Sequence, residues 1–295
     1  MNTSREVAPF LLEDGGPYAW IRRAGFDTTD TSWDTALDSF LVEAPSARGV
    51  SGEAETQTPA LNGGWYSRTV IRGERIHAAG LEAVSYRSDL LSSEFPPRAN
   101  GAKQELHMQC ARAAGCGLFL VHSRWVDFRP FDFSSDREWK ESLDFDIANL
   151  LEVSARCDAN GLRLVIENNP FFPSRYYAEL LREIPAEKAG MCLDIGHANL
   201  QREGSGTALV DTIHALGGRI EHLHLHGNDG AKDMHLPILA PGGSVDWKEC
   251  FRALKEVSYS GVVQEELTPT TPPDLVRWAL ADRGGRRIRD LWDSV

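Results

Sequence analysis

The sequence predicts a single-domain α/β protein, a (β/α)8 TIM barrel. Three observations point there. Short apolar runs rich in β-formers alternate with longer helical stretches through the chain. Eight such runs fall within 295 residues, the arithmetic of an eight-unit barrel. Acidic and histidine side chains recur where the later runs end, and in this architecture chemistry sits at the C-terminal rim of the strands.

Val7–Leu12 is the first and weakest strand candidate, and Phe26–Thr31 follows a short helix ending over Trp20–Gly25. Glu43–Gly64 is rich in Ser, Gly, Pro, Thr and Glu and poor in apolar residues, so a long flexible loop is expected at 43–64. Val70, Ile71 and Ile76 are the apolar positions of a helix over Ser67–Gly80. Leu81–Tyr86 is the third strand, Ala99–Gly115 a helix, and Gly117–His122 the fourth strand. Trp139–Asn160 carries Leu143, Ile147, Leu150, Leu151 and Val153 at helical spacing, with Gly161 placed to end the helix. Leu162–Glu167 is the fifth strand, followed by a helix over Tyr176–Ile184. Gly190–Ile195 is the sixth, and its helix, Thr207–Leu216, stops at Gly217-Gly218. Ile220–Leu225 is the seventh, with Ser244 or Asp246 as the cap of a helix over Trp247–Val257. Gly261–Glu266 is the last strand, and Asp274 opens a final helix running through Leu280. Strands separated by helices require right-handed crossovers, hence a parallel sheet covered on both faces. Neither a domain boundary nor a further repeat interrupts residues 1–295.

Composition narrows the function. Lys and Arg number 31 against 43 Asp and Glu, a net charge of −12. A nucleic-acid partner is not expected, because neutralising phosphates takes clustered cations. The longest apolar runs are strand-sized, so no membrane span is expected. Met1–Pro9 lacks a 7–15-residue apolar stretch, and no signal peptide is expected. The five cysteines, Cys110, Cys116, Cys157, Cys192 and Cys250, form no C-x-x-C pair. Buried, reduced thiols in a cytoplasmic protein are the expectation.

The polar residues at strand ends carry the chemistry. Leu-Val-Ile-Glu167 ends one strand in a carboxylate, and Cys-Leu-Asp194-Ile-Gly-His197 ends the next in an aspartate with an imidazole three residues on. Glu-His222-Leu-His224-Leu-His226 sets three histidines at alternate positions, all toward one face. Val-Val-Gln-Glu265-Glu266 ends the last strand; alternation sends only one of the two glutamates inward, and Glu266 is preferred. His122 ends an earlier strand. Mixed carboxylate and imidazole ligands suit Mn, Co, Mg or Zn with open positions. Without a cation the acids would repel one another.

These segments resemble the xylose isomerase-like barrels, the superfamily of sugar and sugar-phosphate isomerases and epimerases that also contains type IV apurinic endonucleases. The likeness runs through Ile-Glu167-Asn, Asp194-Ile-Gly-His197-Ala-Asn, His222-Leu-His224-Leu-His226-Gly-Asn228-Asp229-Gly, Lys232-Asp233-Met-His235-Leu-Pro, Gly242-Gly-Ser-Val-Asp246-Trp and Tyr259-Ser-Gly261-Val-Val-Gln-Glu-Glu266, about residues 160–268. The resemblance implies one divalent ion held by Glu167, Asp194, His224 and Glu266. The second histidine of the family's His-x-His is the ligand, hence His224 rather than His222. It also implies His197 beside the ion, touching substrate or a further metal. Gly227 stands where many members carry Asp, and His226 falls at a variable position expected on the rim. The N-terminal third matches only in rhythm.

The expected activity is isomerisation or epimerisation of a carbohydrate-like small molecule through an enediolate, with Glu167 and Glu266 exchanging protons. His197, His122 and Trp125 are expected to meet the substrate, and Trp125, Phe171 and Phe172 could wall it. A lyase or dehydratase on a related hydroxy-keto compound could use the same enediolate. A type IV-like endonuclease is the third enzyme reading, since His122, Glu167, Asp194, His197, His224, Asp233, His235 and Glu266 overlap its trinuclear zinc set. Its expected histidine at the third strand's end is replaced by Tyr86-Arg87. A homo-oligomer is left open.

Overall fold

The computed structural model describes residues 28–32, 77–78, 82–88, 101–123, 135–170, 172–200, 208–267 and 284–295. Among them, β1 (Thr28–Ser32), β2 (Glu82–Arg87), β3 (Leu118–His122), β4 (Arg163–Glu167), β5 (Gly190–Asp194), β6 (Ile220–Leu225) and β7 (Val262–Glu265) form one sheet in sequence order. Every pairing is parallel. β1 and β7, at the two ends of the sheet, approach each other, so it curls into a nearly closed barrel. The expected strand at 7–12, the loop at 43–64 and the helix opened by Asp274 lie outside the described residues.

The helices are α1 (Gly101–Ala113), α2 (Asp136–Ala159), α3 (Ser174–Glu183), α4 (Ile195–Asn199), α5 (Ala208–Leu216), α6 (Trp247–Glu256) and α7 (Gly284–Asp293). Three of them, α2, α4 and α6, begin where a side chain satisfies a free amide of the first turn. Ser135 accepts from the Glu138 N–H, which starts α2 three residues before its apolar pattern does. Asp246 accepts from the Glu249 N–H at 3.1 Å and caps α6. Gly161, at φ +66°, closes α2 in the left-handed conformation a side chain would disfavour. No helix of the described residues is long and apolar enough to cross a membrane.

α7 was not expected. Ile288 and Leu291 are buried, and Trp292 packs edge-on to Phe251 at 5.6 Å. Its three apolar contacts sit at helical spacing among five charged residues, too sparse to read as a stripe.

Two apolar layers result. The larger lies between the sheet's outer face and the helices. A small separate cluster, Leu120, Val165 and Cys192 with Leu118 against it, fills the barrel's interior. Period-two alternation then sends the next inward side chains to the mouth: His122, Glu167, Asp194 and His224. At the opposite end of β4–β6, Glu221 turns toward Arg163 (2.9 and 2.5 Å) where the β5–β6 register slips by one residue. Gly190 makes room for it, since a Cβ there would stand 2.7 Å from Glu221 Oε2.

Candidate metal centre

Glu167 closes β4, Asp194 closes β5, His224 lies one residue inside the end of β6, and Glu266 follows β7. Register brings them level: Asp194 pairs with His224, and the Glu266 N–H donates to the Leu225 carbonyl at 2.9 Å. Glu167, Asp194, His224 and Glu266 each offer a ligand atom, and these atoms lie within 4.8 Å of one another. His224 Nδ1 is 2.9 Å from Glu167 Oε1 and 3.4 Å from Glu266 Oε2. Glu167 Oε2, Asp194 Oδ2 and Glu266 Oε2 are buried and make no hydrogen bond among the described residues. A buried carboxylate oxygen without a donor is costly. Three carboxylates that each keep such an oxygen, grouped with an imidazole, fit a divalent cation.

Glu266 and Glu265 point apart. Glu265 turns away from the mouth and accepts the Ile238 N–H at 2.9 Å. Burial pushes the Glu265 carboxyl up. Burial would push Glu266 up too, but His224 and Arg87 hold it well below the ordinary range. Glu167 behaves likewise: burial is outweighed by Arg87, His122 and His224.

Asp194 does two things at once. Its Oδ1 caps α4 by accepting the His197 N–H at 2.8 Å, while its Oδ2 is buried without a hydrogen bond among the described residues. Asn168 locks β4 to β5 by accepting from the Asp194 N–H (2.7 Å) and donating to its carbonyl (2.9 Å). The cap turns His197 over the cup, where its Nδ1 meets the Asn168 carbonyl at 2.8 Å and its Nε2 faces Asp233 at 3.4 Å. Burial would lower the His197 pKa, but Asp194 and Asp233 raise it to about 10.

His197, His226, Asp233 and His235 form a second group of potential ligands. Asp233 and His235 come from the loop after β6. An antiparallel bridge between Gly227 and Leu236 and the Asn228 amide, which donates to the Gly196 carbonyl at 2.8 Å, tie that loop down. His226 corrects an expectation. It is fully buried rather than on the rim, its Nε2 is 3.0 Å from Asp194 Oδ1, and its ring stacks on His235 at 3.9 Å. The chain folds back over it, so a position expected on the rim is covered. Beneath both groups, Cys192, His222 and His224 offer a third set, sharing His224 with the first.

His122 is buried, with Nε2 3.1 Å from Glu167 Oε2 and 2.9 Å from Arg87 Nη2. Arg87, which stands where the endonuclease reading expects a histidine, reaches the heart of the cup: its Nη1 donates to Glu266 Oε1 at 2.6 Å. Its position at the end of β2, one strand from His122, is the available signal. Trp125 and Phe171 lie outside the described residues. Phe172 is no substrate wall, because it is buried against Tyr176 at 4.6 Å. All five cysteines are buried and none is in a disulfide, as expected.

Residues 73–281 match the family model described as xylose isomerase-like TIM barrel. The chain therefore belongs to that family. An uncharacterised protein of Methanocaldococcus jannaschii is 29% identical over 179 residues, 58% of this chain and 60% of that relative's length. An uncharacterised protein of Sinorhizobium fredii is 26% identical over 249 residues, 81% of this chain and 76% of that one. Similar solved structures include a D-tagatose 3-epimerase-like protein (TM-score 0.63, 19% identity, 92% of this chain and 91% of that one). Another is the D-psicose 3-epimerase of Clostridium cellulolyticum with D-tagatose (TM-score 0.61, 16%, 95% and 92%). A third is the IolI protein with a zinc atom (TM-score 0.67, 14%, 93% and 91%). At these identities the likeness is one of fold.

Proposed function

We propose that this member of the xylose isomerase-like family is a divalent-metal-dependent epimerase or isomerase of a small sugar or sugar derivative. The observation that supports the reading is that Glu167, Asp194, His224 and Glu266 each offer a ligand atom within 4.8 Å of the others, while each of the three carboxylates keeps a buried oxygen without a hydrogen bond. Glu167, Asp194, His224 and Glu266 would hold the ion. Bound there, Mn, Co, Mg or Zn supplies Lewis-acid polarisation of a substrate carbonyl and offsets the charge of an enediolate.

The chain's own residues handle the protons. Glu167 and Glu266 come from the ends of β4 and β7, three strands apart, and face the cup from different walls. One removes the proton beside the carbonyl, and the other returns a proton. Return to the opposite face epimerises the carbon; return to the neighbouring carbon isomerises the sugar. Their surroundings differ, as acid and base roles require. Glu266 is tied to Arg87 through Oε1, whereas Glu167 is enclosed between His122 and His224. His197, held by Asp194 and Asp233, presents a charged N–H to a substrate oxygen. His122 supports the Glu167 side of the cup. The structural neighbours named for D-tagatose and D-psicose 3-epimerases support a ketose-sized substrate.

A lyase on a hydroxy-keto compound would begin with the same proton removal. The second group, His197, His226, Asp233 and His235, favours one other reading, hydrolysis of a phosphodiester in abasic DNA. The net charge of −12 opposes it. The test is a panel of ketoses in D2O with each of the four metals. The expected result is chelator-sensitive deuterium uptake beside the carbonyl and formation of the epimer or isomer. Nicking of abasic DNA with no exchange in any ketose overturns the reading.

A further inference from the structure

Beside the four-residue ligand group, the end of β3 adds His122 to two glutamates that the group already uses, Glu167 and Glu266. His122 Nε2 stands 3.1 Å from Glu167 Oε2, and both side chains are buried. Glu266 presents Oε1 to the same space. An imidazole and two carboxylates in one buried corner are what a divalent ion takes as ligands. Arg87 reaches into that corner from the end of β2. Its Nη1 is 2.6 Å from Glu266 Oε1, its Nη2 2.9 Å from His122 Nε2, and its Nε 3.7 Å from Glu167 Oε2. A guanidinium keeps its charge at every working pH and spreads its donors in a rigid planar fork. One side chain thus serves three acceptors from three other strands.

We propose that Arg87 is a positioning residue that acts as a built-in, non-exchangeable cation: it fills the corner between His122, Glu167 and Glu266 and closes it to an additional divalent ion. The proposal rests on the metal-dependent reading above. Two consequences follow from the distances. Glu266 has Oε1 committed to Arg87, which leaves Oε2 to face His224 and the ligand group. Whether this corner takes an ion is then governed by a residue that binds none. A lysine, with one compact ammonium, keeps the charge in the corner but loses the fork.

The test is the metal content of the full chain, stripped with chelator, reloaded with Co(II) or Zn(II), and measured by elemental analysis and calorimetric titration. Arg87→Ala should bind one equivalent more than the unaltered protein. Arg87→Lys should return to the unaltered number, a rescue that a merely structural role does not predict. Arg87→Ala combined with His122→Ala should also return to it, which locates the extra ion in this corner. Arg87→Met, of similar length and uncharged, gives the same reading as Arg87→Ala should the alanine variant not fold. An unchanged number in both Arg87→Ala and Arg87→Met overturns the proposal. An extra equivalent that persists without His122 overturns it too. If the unaltered protein binds no ion but Arg87→Ala binds one, the metal-dependent function fails while the role of Arg87 stands.

Discussion

Gly196 is the residue on which the second half of the cup depends. It sits in the first turn of α4, and a Cβ there would fall inside the space of the His226 ring. The ring cannot simply retreat, because His235 stacks on it at 3.9 Å. Gly196→Ala therefore forces His226 away from Asp194, whose Oδ1 lies 3.0 Å from His226 Nε2. Overpacking a filled interior costs about 1–3 kcal/mol, and a buried contact to a charged group contributes about 1.5–3 kcal/mol. We take a central loss of about 3 kcal/mol from these ranges, equal to a fall in Tm of roughly 6–12 °C for a domain of this size. The assay is thermal and urea unfolding of metal-free protein, so that ligand linkage does not mask the change. His226→Ala in the same chain should recover at least about 1 kcal/mol of the Gly196→Ala loss in a double-mutant cycle. A Tm within about 1 °C of the unaltered protein on the same scale, or losses that simply add, would refute the crowding argument.

The other expectations concern the cup and the thiols. Glu167→Gln and Glu266→Gln should each lower kcat by about 10²–10⁴-fold while the circular dichroism spectrum is kept; near-normal turnover removes the proton-transfer roles. His224→Ala should lose bound metal by elemental analysis, and unchanged content would move the ion elsewhere. Arg87 and the neighbouring histidines hold Glu167 and Glu266 below their ordinary value of 4.5. Depressed carboxylates contribute stability that is whole above the ordinary value and lost as pH falls through the lowered one. His197, raised from 6.5 to about 10, adds stability as pH falls toward 5, so the urea midpoint of the metal-free protein should hold or rise from about pH 7 to 5 and weaken below about 4.5; a midpoint that goes on rising below about 4.5 contradicts this. Burial pushes the Cys157 thiol from 9.0 up to about 12 and raises Cys250 as well. A disulfide reagent at pH 8 should leave both unmodified until urea unfolds the chain, and stability should decline as pH rises above 9 because only the unfolded thiols ionise. Rapid native modification of either would show that its environment is open.

The parallel strand–helix order was legible because its causes are local. Period-two alternation puts Glu167, Asp194 and His224 on one face of their strands, and the same period separates Glu265 from Glu266. Caps such as Asp246 and Gly161 answer to neighbours three or four residues away. What the sequence could not show depends on chain segments far apart. Arg87 enters the cup only because closure of the sheet brings β2 within reach of a residue 179 positions later. His226 becomes buried only because the loop carrying Asp233 and His235 folds back over it. Glu221 turns inward only where the β5–β6 register slips and Gly190 leaves space. The sequence by itself determined which residues end the strands and which way they face. The tertiary structure alone decided which of those ends meet, because distances across a closed barrel are set by register and curvature that no local pattern encodes.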